Sequence, residues 1–196
     1  MKHTFSLVAG AVLAVAFSAV AADSPKEDLK FLGIDKCKNK DKFDCEWVDP
    51  SFSFAGKTIH VQKFEKRADA PASGDVGGLE YGNSDTFMQE VFAKQTNERL
   101  EKQGTKFVTG GSGDYVLKGQ ITEWRYPKKG AAWGGWIGAA AGSGTIVYDW
   151  KIVDKSGKTV VAVHHKILAS ASDTMERRVN NVHGDEMVEF VRKHSK

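Results

Sequence analysis

Apolar and polar residues alternate most regularly over Thr145–Val153, where Ile146, Tyr148, Trp150 and Ile152 fall on one side and Asp149 and Lys151 on the other. A period of two is the pattern of a strand with two different faces. Asp154-Lys-Ser-Gly157 follows as a hairpin turn, and Lys158–Ala169 returns as a strand with Val161, Val163 and Ile167 inward. Tyr115–Trp124 reads as a further strand with Tyr115, Leu117 and Ile121 on one side, and residues 57–65 as another, with Ile59 and Val61 sharing a face. Lys106–Thr109 is a short extended piece, and Gly110–Gly113 is a turn.

The period becomes helical over Ser84–Gln103, where Phe87, Met88, Val91, Phe92 and Leu100 make a partial apolar stripe. Ser84 or Asp85 caps its start and Gly104 ends it. Asp173 with Glu176 resembles a capping box, opening a helix through Met175, Val179 and Val182. Gly184 predicts a break or bend, after which a helical stretch runs through Met187, Phe190 and Val191. Residues 66–83, rich in Gly, Ala, Asp and Ser, read as a long loop. The order strand, helix, strand, strand, strand, helix predicts an α+β fold: one domain with a mostly antiparallel four-stranded sheet and helices packed on one face. No internal repeat or second-domain linker is visible.

The amino terminus changes the picture of where this domain works. Lys2 is followed by an apolar core from Leu7 to Ala22, broken only by Gly10 and Ser18, and then by Asp23, Ser24 and Pro25. That is the order of a secretory signal peptide, with cleavage after Ala21 or Ala22. The core is shorter than the roughly 20 residues a spanning helix needs. No cysteine follows the small residues, so the mature chain is not expected to be a lipoprotein. The division is therefore 1–22 signal peptide, 23–56 amino-terminal extension and 57–196 α+β domain, with the product in the periplasm or secreted. Trp47, Phe52 and Phe54 are expected to pin the extension to the body.

Charge narrows the partners. The chain has 28 Lys and Arg against 25 Asp and Glu, and the signal peptide removes one lysine. So even a balance excludes a nucleic-acid binder on net charge. Eleven phenylalanines and five tryptophans argue for a packed core. Cys37 and Cys45 are the only cysteines, and in an oxidising compartment they predict one structural disulfide. The loop between them, Lys-Asn-Lys-Asp-Lys-Phe-Asp, is too charged to hold itself by burial.

One segment has an unusual composition. Gly130, Gly134, Gly138 and Gly142 recur every four residues, with Trp133 and Trp136 among them. Ahead of it Trp124, Arg125, Tyr126, Lys128 and Lys129 mix aromatics with positive charge. Three readings apply to the glycine run: a connection between strands, a small-residue packing surface, or an element that enters a membrane. It is too short to span as a helix, and each glycine costs about 1 kcal/mol in a helix relative to alanine. For Trp124–Lys129 the alternatives are a strand end with solvated lysines or a rim that contacts a partner or lipid head groups.

Searches for catalytic chemistry end without a set. Gly-Lys-Thr occurs at 56–58 and 157–159, but a phosphate-binding loop needs glycine where Ser51 and Ile152 stand. No Gly-x-Ser-x-Gly elbow is present. His164 and His165 are adjacent on a strand and point to opposite faces. His183, Asp185 and Glu186 flank the predicted helix break; they are a candidate ligand set, but solvated charge near a helix terminus is the favoured reading. Asp149, Asp154 and Asp173 are accounted for by a strand edge, a turn and a cap. No cofactor and no metal is expected.

The strand Asp-Tyr-Val-Leu-Lys-Gly-Gln-Ile (114–121), the Gly/Ala-rich turn and the hairpin Tyr-Asp-Trp-Lys-Ile-Val-Asp-Lys-Ser-Gly-Lys-Thr-Val (148–160) complete a layout over residues 57–192. This layout resembles bacterial envelope domains, among them uncharacterised secreted and lipoprotein families. It also resembles the periplasmic domains of the curli-secretion channel and of the lipoprotein activators of cell-wall synthases. The resemblance implies a non-enzymatic protein that acts through protein–protein contacts in the envelope. The expected contact set is Trp124, Arg125, Tyr126, Lys128, Lys129, Gly130, Trp133, Gly134, Trp136, Gly138 and Gly142, toward an envelope protein or a second copy of the chain. The alternatives are a periplasmic small-ligand or glycan binder, an undetected hydrolase, and a peripheral outer-membrane protein.

Overall fold

The alternation over β-strand 144–153 is realised as read: Tyr148 and Trp150 enter the main core, whereas Asp149 and Lys151 lie on the opposite face. The computed structural model describes residues 25–37, 41–69, 81–126, 144–169 and 175–196. In chain order the elements are α1 (Leu29–Leu32), β1 (Cys45–Val48), β2 (Thr58–Val61), β3 (Glu65–Lys66), α2 (Ser84–Glu90), α3 (Asn97–Leu100), β4 (Lys106–Val108), β5 (Tyr115–Arg125), β6 (Gly144–Val153), β7 (Thr159–Ala169) and α4 (Met175–Lys193). A π-helical segment, Val91–Thr96, joins α2 to α3.

The fold is α+β, but the sheet is mixed and seven-stranded, not a mostly antiparallel sheet of four. Its order is β1-β7-β6-β5-β2-β4, with β3 also pairing with β5. β5, β6, β7 and β1 are antiparallel neighbours, while β2 and β3 run parallel to β5, and β2 to β4. The helical crossover after β3 brings the chain back in the same direction, which is why β2 gains parallel partners. The segment 23–56 also contributes a strand: β1 pairs Cys45–Val48 with Val161–His164.

The single strand expected at 57–65 is split. Val61 pairs with Leu117 but Glu65 with Gln120, so one extra residue is taken up between β2 and β3. Phe64 at the irregularity turns inward and is 3% exposed. It lies flat against Gly119, where any Cβ would collide with the phenyl ring.

α2, the π segment, α3 and α4 cover one face of the sheet, over Phe54, Ile59, Leu117, Ile121, Tyr148 and Trp150. α1 covers the other face: Lys151 donates to Phe31 O and lies over its ring, and Thr159 Oγ1 donates to Leu32 O at 3.0 Å. Helices therefore pack on both faces. α4 is continuous through Gly184, contrary to the predicted break. Val179, His183, Met187, Phe190 and Val191 form one buried stripe along it, and that packing offsets the glycine's helix cost of about 1 kcal/mol. Ser84 does not cap α2; its hydroxyl donates to Tyr81 O at 2.8 Å, and Asn83 is the N-cap residue. The capping position Asp173 lies outside the described residues.

The disulfide Cys37–Cys45 is present, with Cα atoms 5.5 Å apart. Its loop is held by burial as well, because Phe43 is 3% exposed and meets Trp150, His165 and Phe190 edge-on. A single aromatic among charges was enough to anchor a loop that composition alone reads as solvated.

The outer edge of β4 is closed by one side chain. Asn97 Nδ2 donates to Phe107 O and Phe107 N donates to Asn97 Oδ1, both at 2.7 Å. The amide acts as a one-residue strand on an edge that otherwise invites pairing. Asn97→Ala is expected to destabilise by about 1 kcal/mol and to raise the concentration dependence of aggregation, read by thermal melts at several protein concentrations. Asn97→Asp, which keeps the acceptor but loses the donor, should fall between wild type and alanine.

Candidate functional site

The sequence-derived contact set is only partly within the described residues. Lys128, Lys129, Gly130, Trp133, Gly134, Trp136, Gly138 and Gly142 lie outside them. Trp124 is 4% exposed and packs against Tyr81 and Tyr126 at ring separations of 5.8 and 6.1 Å. The Tyr126 hydroxyl accepts from Tyr81 N at 2.9 Å, and the Tyr81 hydroxyl donates to Ala68 O at 2.6 Å. Trp124 thus binds three chain segments together from inside. Arg125 is exposed and donates to Thr145 Oγ1 at 2.6 Å.

Register places a further residue beside it. Arg125 is opposite Thr145, and Thr145 is opposite Leu168. Leu168 is 49% exposed and is the only exposed large apolar side chain among the described residues. The strand pattern had given no reason to single it out. On the same edge Asp44 accepts from Lys166 N at 2.7 Å and Arg178 donates to Leu168 O at 3.0 Å.

Two histidine clusters lie on opposite faces of β7, as adjacent strand positions require. On the helix face, His165 is 6% exposed, with Asp44 Oδ2 3.1 Å from Nδ1 and Glu186 Oε2 2.9 Å from Nε2. Burial lowers the imidazole pKa, but the two carboxylates outweigh it and hold it above its ordinary 6.5. The same contact with His165 keeps the Asp44 carboxyl below its usual value. His183 is fully buried and shares a 2.6 Å hydrogen bond with the Tyr148 hydroxyl. Burial, reinforced by the charge on His165, pushes the His183 pKa down to about 3. Tyr148 is pushed well above 10, first by burial and then by Glu186 and Asp44. His183 is therefore a core group and not solvated charge at a helix break; Glu186 is half-buried against His165, and Asp185 is the exposed member and pairs with Arg99.

On the α1 face a polar row crosses three strands. Gln120 Nε2 donates to Asp149 Oδ2 at 2.8 Å, and Asp149 Oδ1 lies 2.7 Å from His164 Nδ1. Gln120 also donates at 3.2 Å to Asp28, the N-cap of α1. Asp149 and Gln120 are fully buried, and His164 is 6% exposed. Asp149 is thus a central-strand group with two partners, not a strand-edge charge. Among the described residues no group of three or more His, Cys, Asp or Glu is placed to hold a metal ion, and no helix is long and apolar enough to cross a membrane.

No family model matches the sequence, and no curated protein matches it either. One solved structure shows a similar fold, and a second matches by coverage alone. A PelC dodecamer from Paraburkholderia phytofirmans is similar over 73% of this chain and 92% of that one, at 12% identity and a TM-score of 0.51. A protein of family DUF330 from Xanthomonas campestris is similar over 74% of this chain and 86% of that one, at 12% identity and a TM-score of 0.35.

Proposed function

We propose that this chain is an exported envelope protein that acts by contact with another protein or with copies of itself, without catalysis. The observation that carries this reading is the row Arg125–Thr145–Leu168, which leaves Leu168 in solvent at one end of the sheet. β5 ends at Arg125 and β6 begins at Gly144, so the tryptophan- and glycine-rich segment departs from and returns to that same end. In this reading Trp133, Trp136 and the four spaced glycines supply the contact, Leu168 extends it, and Arg125 and Tyr126 form its rim. Trp124 serves it from the interior by fixing Tyr126 and Tyr81. PelC, of similar fold, forms a dodecamer, which supports an assembling role. The disulfide suits an oxidising compartment, and the resemblance of the sequence layout to curli-channel and synthase-activator domains belongs to the same reading.

Size-exclusion chromatography with light scattering on the oxidised mature chain, with and without anionic phospholipid vesicles, tests it. The expected result is an assembly larger than a monomer that ignores vesicles. Leu168→Glu and the double variant Trp133→Ala with Trp136→Ala should each dissociate it without moving the thermal midpoint. A monomer would count against self-assembly, and a pull-down from envelope extract that the double variant leaves unchanged would remove the partner reading as well. Vesicle binding lost in the double variant would favour peripheral membrane contact instead.

A further inference from the structure

We propose that the Asp149–His164 pair is the floor of an oxyanion-binding cleft that takes a phosphate-type group. His164 lines a cleft of about 490 Å³ between the lead-in at Lys26 and Glu27 and the disulfide loop at Lys42, with Lys166 beside it. The ring is more than nine-tenths buried, yet only one of its nitrogens has a partner among the described residues. Asp149 holds Nδ1 at 2.7 Å, and Gln120 holds the other carboxylate oxygen at 2.8 Å. The carboxylate therefore fixes the rotation of the ring and requires a proton on Nδ1, which leaves Nε2 for the cleft. With its proton on Nδ1 the ring presents Nε2 as an acceptor, which suits the hydroxyl of a hydrogen phosphate.

Internal pairing decides the sign of what the cleft offers. Asp41 is bonded to Lys193, Asp44 to His165 and Lys166 N, and Lys42 to Glu189. Lys26 and Lys166 form no ion pair among the described residues, and Glu27 is the one acid of the cleft in the same position. Two ammonium groups against one carboxylate favour an anion, and hydrogen bonds from charged donors to a phosphate are the strong kind. This inference does not rest on the Leu168 row.

The test is a titration of the oxidised mature chain, labelled with nitrogen-15 in histidine, with inorganic phosphate at constant ionic strength. A saturable shift of the His164 ring nitrogen signals is expected, with His60 and His194 unmoved. His164→Gln should abolish binding. Lys166→Gln leaves the buried pair intact and should weaken binding about tenfold, the equivalent of one charge-assisted hydrogen bond; it carries the test if His164→Gln fails to fold. Competition by phosphatidylglycerol vesicles would identify a lipid headgroup as the source of the phosphate, and its absence a soluble phosphate. A linear response shared by all the histidines, or Lys166→Gln binding as wild type does, overturns the proposal.

Discussion

Trp150→Ala is expected to lower the unfolding free energy by about 3–5 kcal/mol. Trp150 is the largest fully buried side chain and stands on the central strand β6. Phe43, Phe92 and Phe190 meet its indole edge-on at 6.1, 5.5 and 6.1 Å. These three rings belong to the disulfide loop, the π-helical segment and α4. Each is tied to its own backbone, so they cannot close together over the space an alanine would leave, and the cavity penalty adds to the lost transfer energy. Urea unfolding of the oxidised mature chain, followed by far-ultraviolet circular dichroism, reads the effect as a lower midpoint at unchanged slope. A loss below about 1 kcal/mol would mean that the site collapses readily, and the helix layer would not then be closed onto the sheet by this ring.

The second large effect is one of pH. Unfolded His183 takes up a proton near 6.5, whereas the buried ring in the folded chain stays neutral down to about 3. Between these values the unfolded state binds more protons, so stability falls as pH falls, by about 2–3 kcal/mol from pH 6.5 to about pH 4.5. His165 acts in the other direction. Its folded pKa lies above 6.5, so its contribution is complete below 6.5 and is lost as pH rises through the folded value. The carboxylates of Asp28, Asp41 and Asp44 titrate below their ordinary 3.8, so their stabilisation is lost only at still lower pH. Between pH 6.5 and 4.5 the loss therefore comes chiefly from His183, with a smaller part in the same direction from His194, whose pKa burial and the neighbouring Lys193 also lower. Urea midpoints across this interval should decline steeply in the wild type and only slightly in His183→Gln, which keeps a polar partner for Tyr148 and leaves the His194 contribution in place. A level wild-type curve would show that His183 is not held neutral in the folded chain.

The strands and helices were legible because long elements repeat their period. β5, β6, β7, α2 and α4 lie close to where their apolar residues put them. Partners were less legible than faces. Counting outward from the Asp154–Gly157 turn sets Val153 opposite Lys158 and Asp149 opposite Ala162, but Val153 pairs with Thr159, an irregularity between Ile152 and Val153 adds a second residue, and Asp149 meets His164. The slip is of two residues, so every side chain keeps its face while the polar row across Gln120, Asp149 and His164 goes unseen. The parallel pairing of β2 was hidden for a different reason: it depends on the path of the crossover, which local periodicity does not record. Gly184 misled because propensity was weighed without the stripe from Val179 to Val191 that holds α4 together. His183 and Glu186 were then read as exposed on the strength of that expected break.

The place of β1 bears on how the chain acquires its shape. β1 is the first strand, yet its neighbour in the sheet is β7, with Cys45 opposite His164. β2 and β3 likewise wait for β5, whereas β5 pairs with β6 and β6 with β7, each with its immediate successor. Closing contacts between distant residues costs more chain entropy than closing near ones. The late meander is therefore the natural nucleus, and residues 25–66 join it afterwards. A chain that emerges amino terminus first has no sheet partner for β2 and β3 until past its midpoint, and none for β1 until its last fifth, so its leading edge stays unpaired for most of its synthesis.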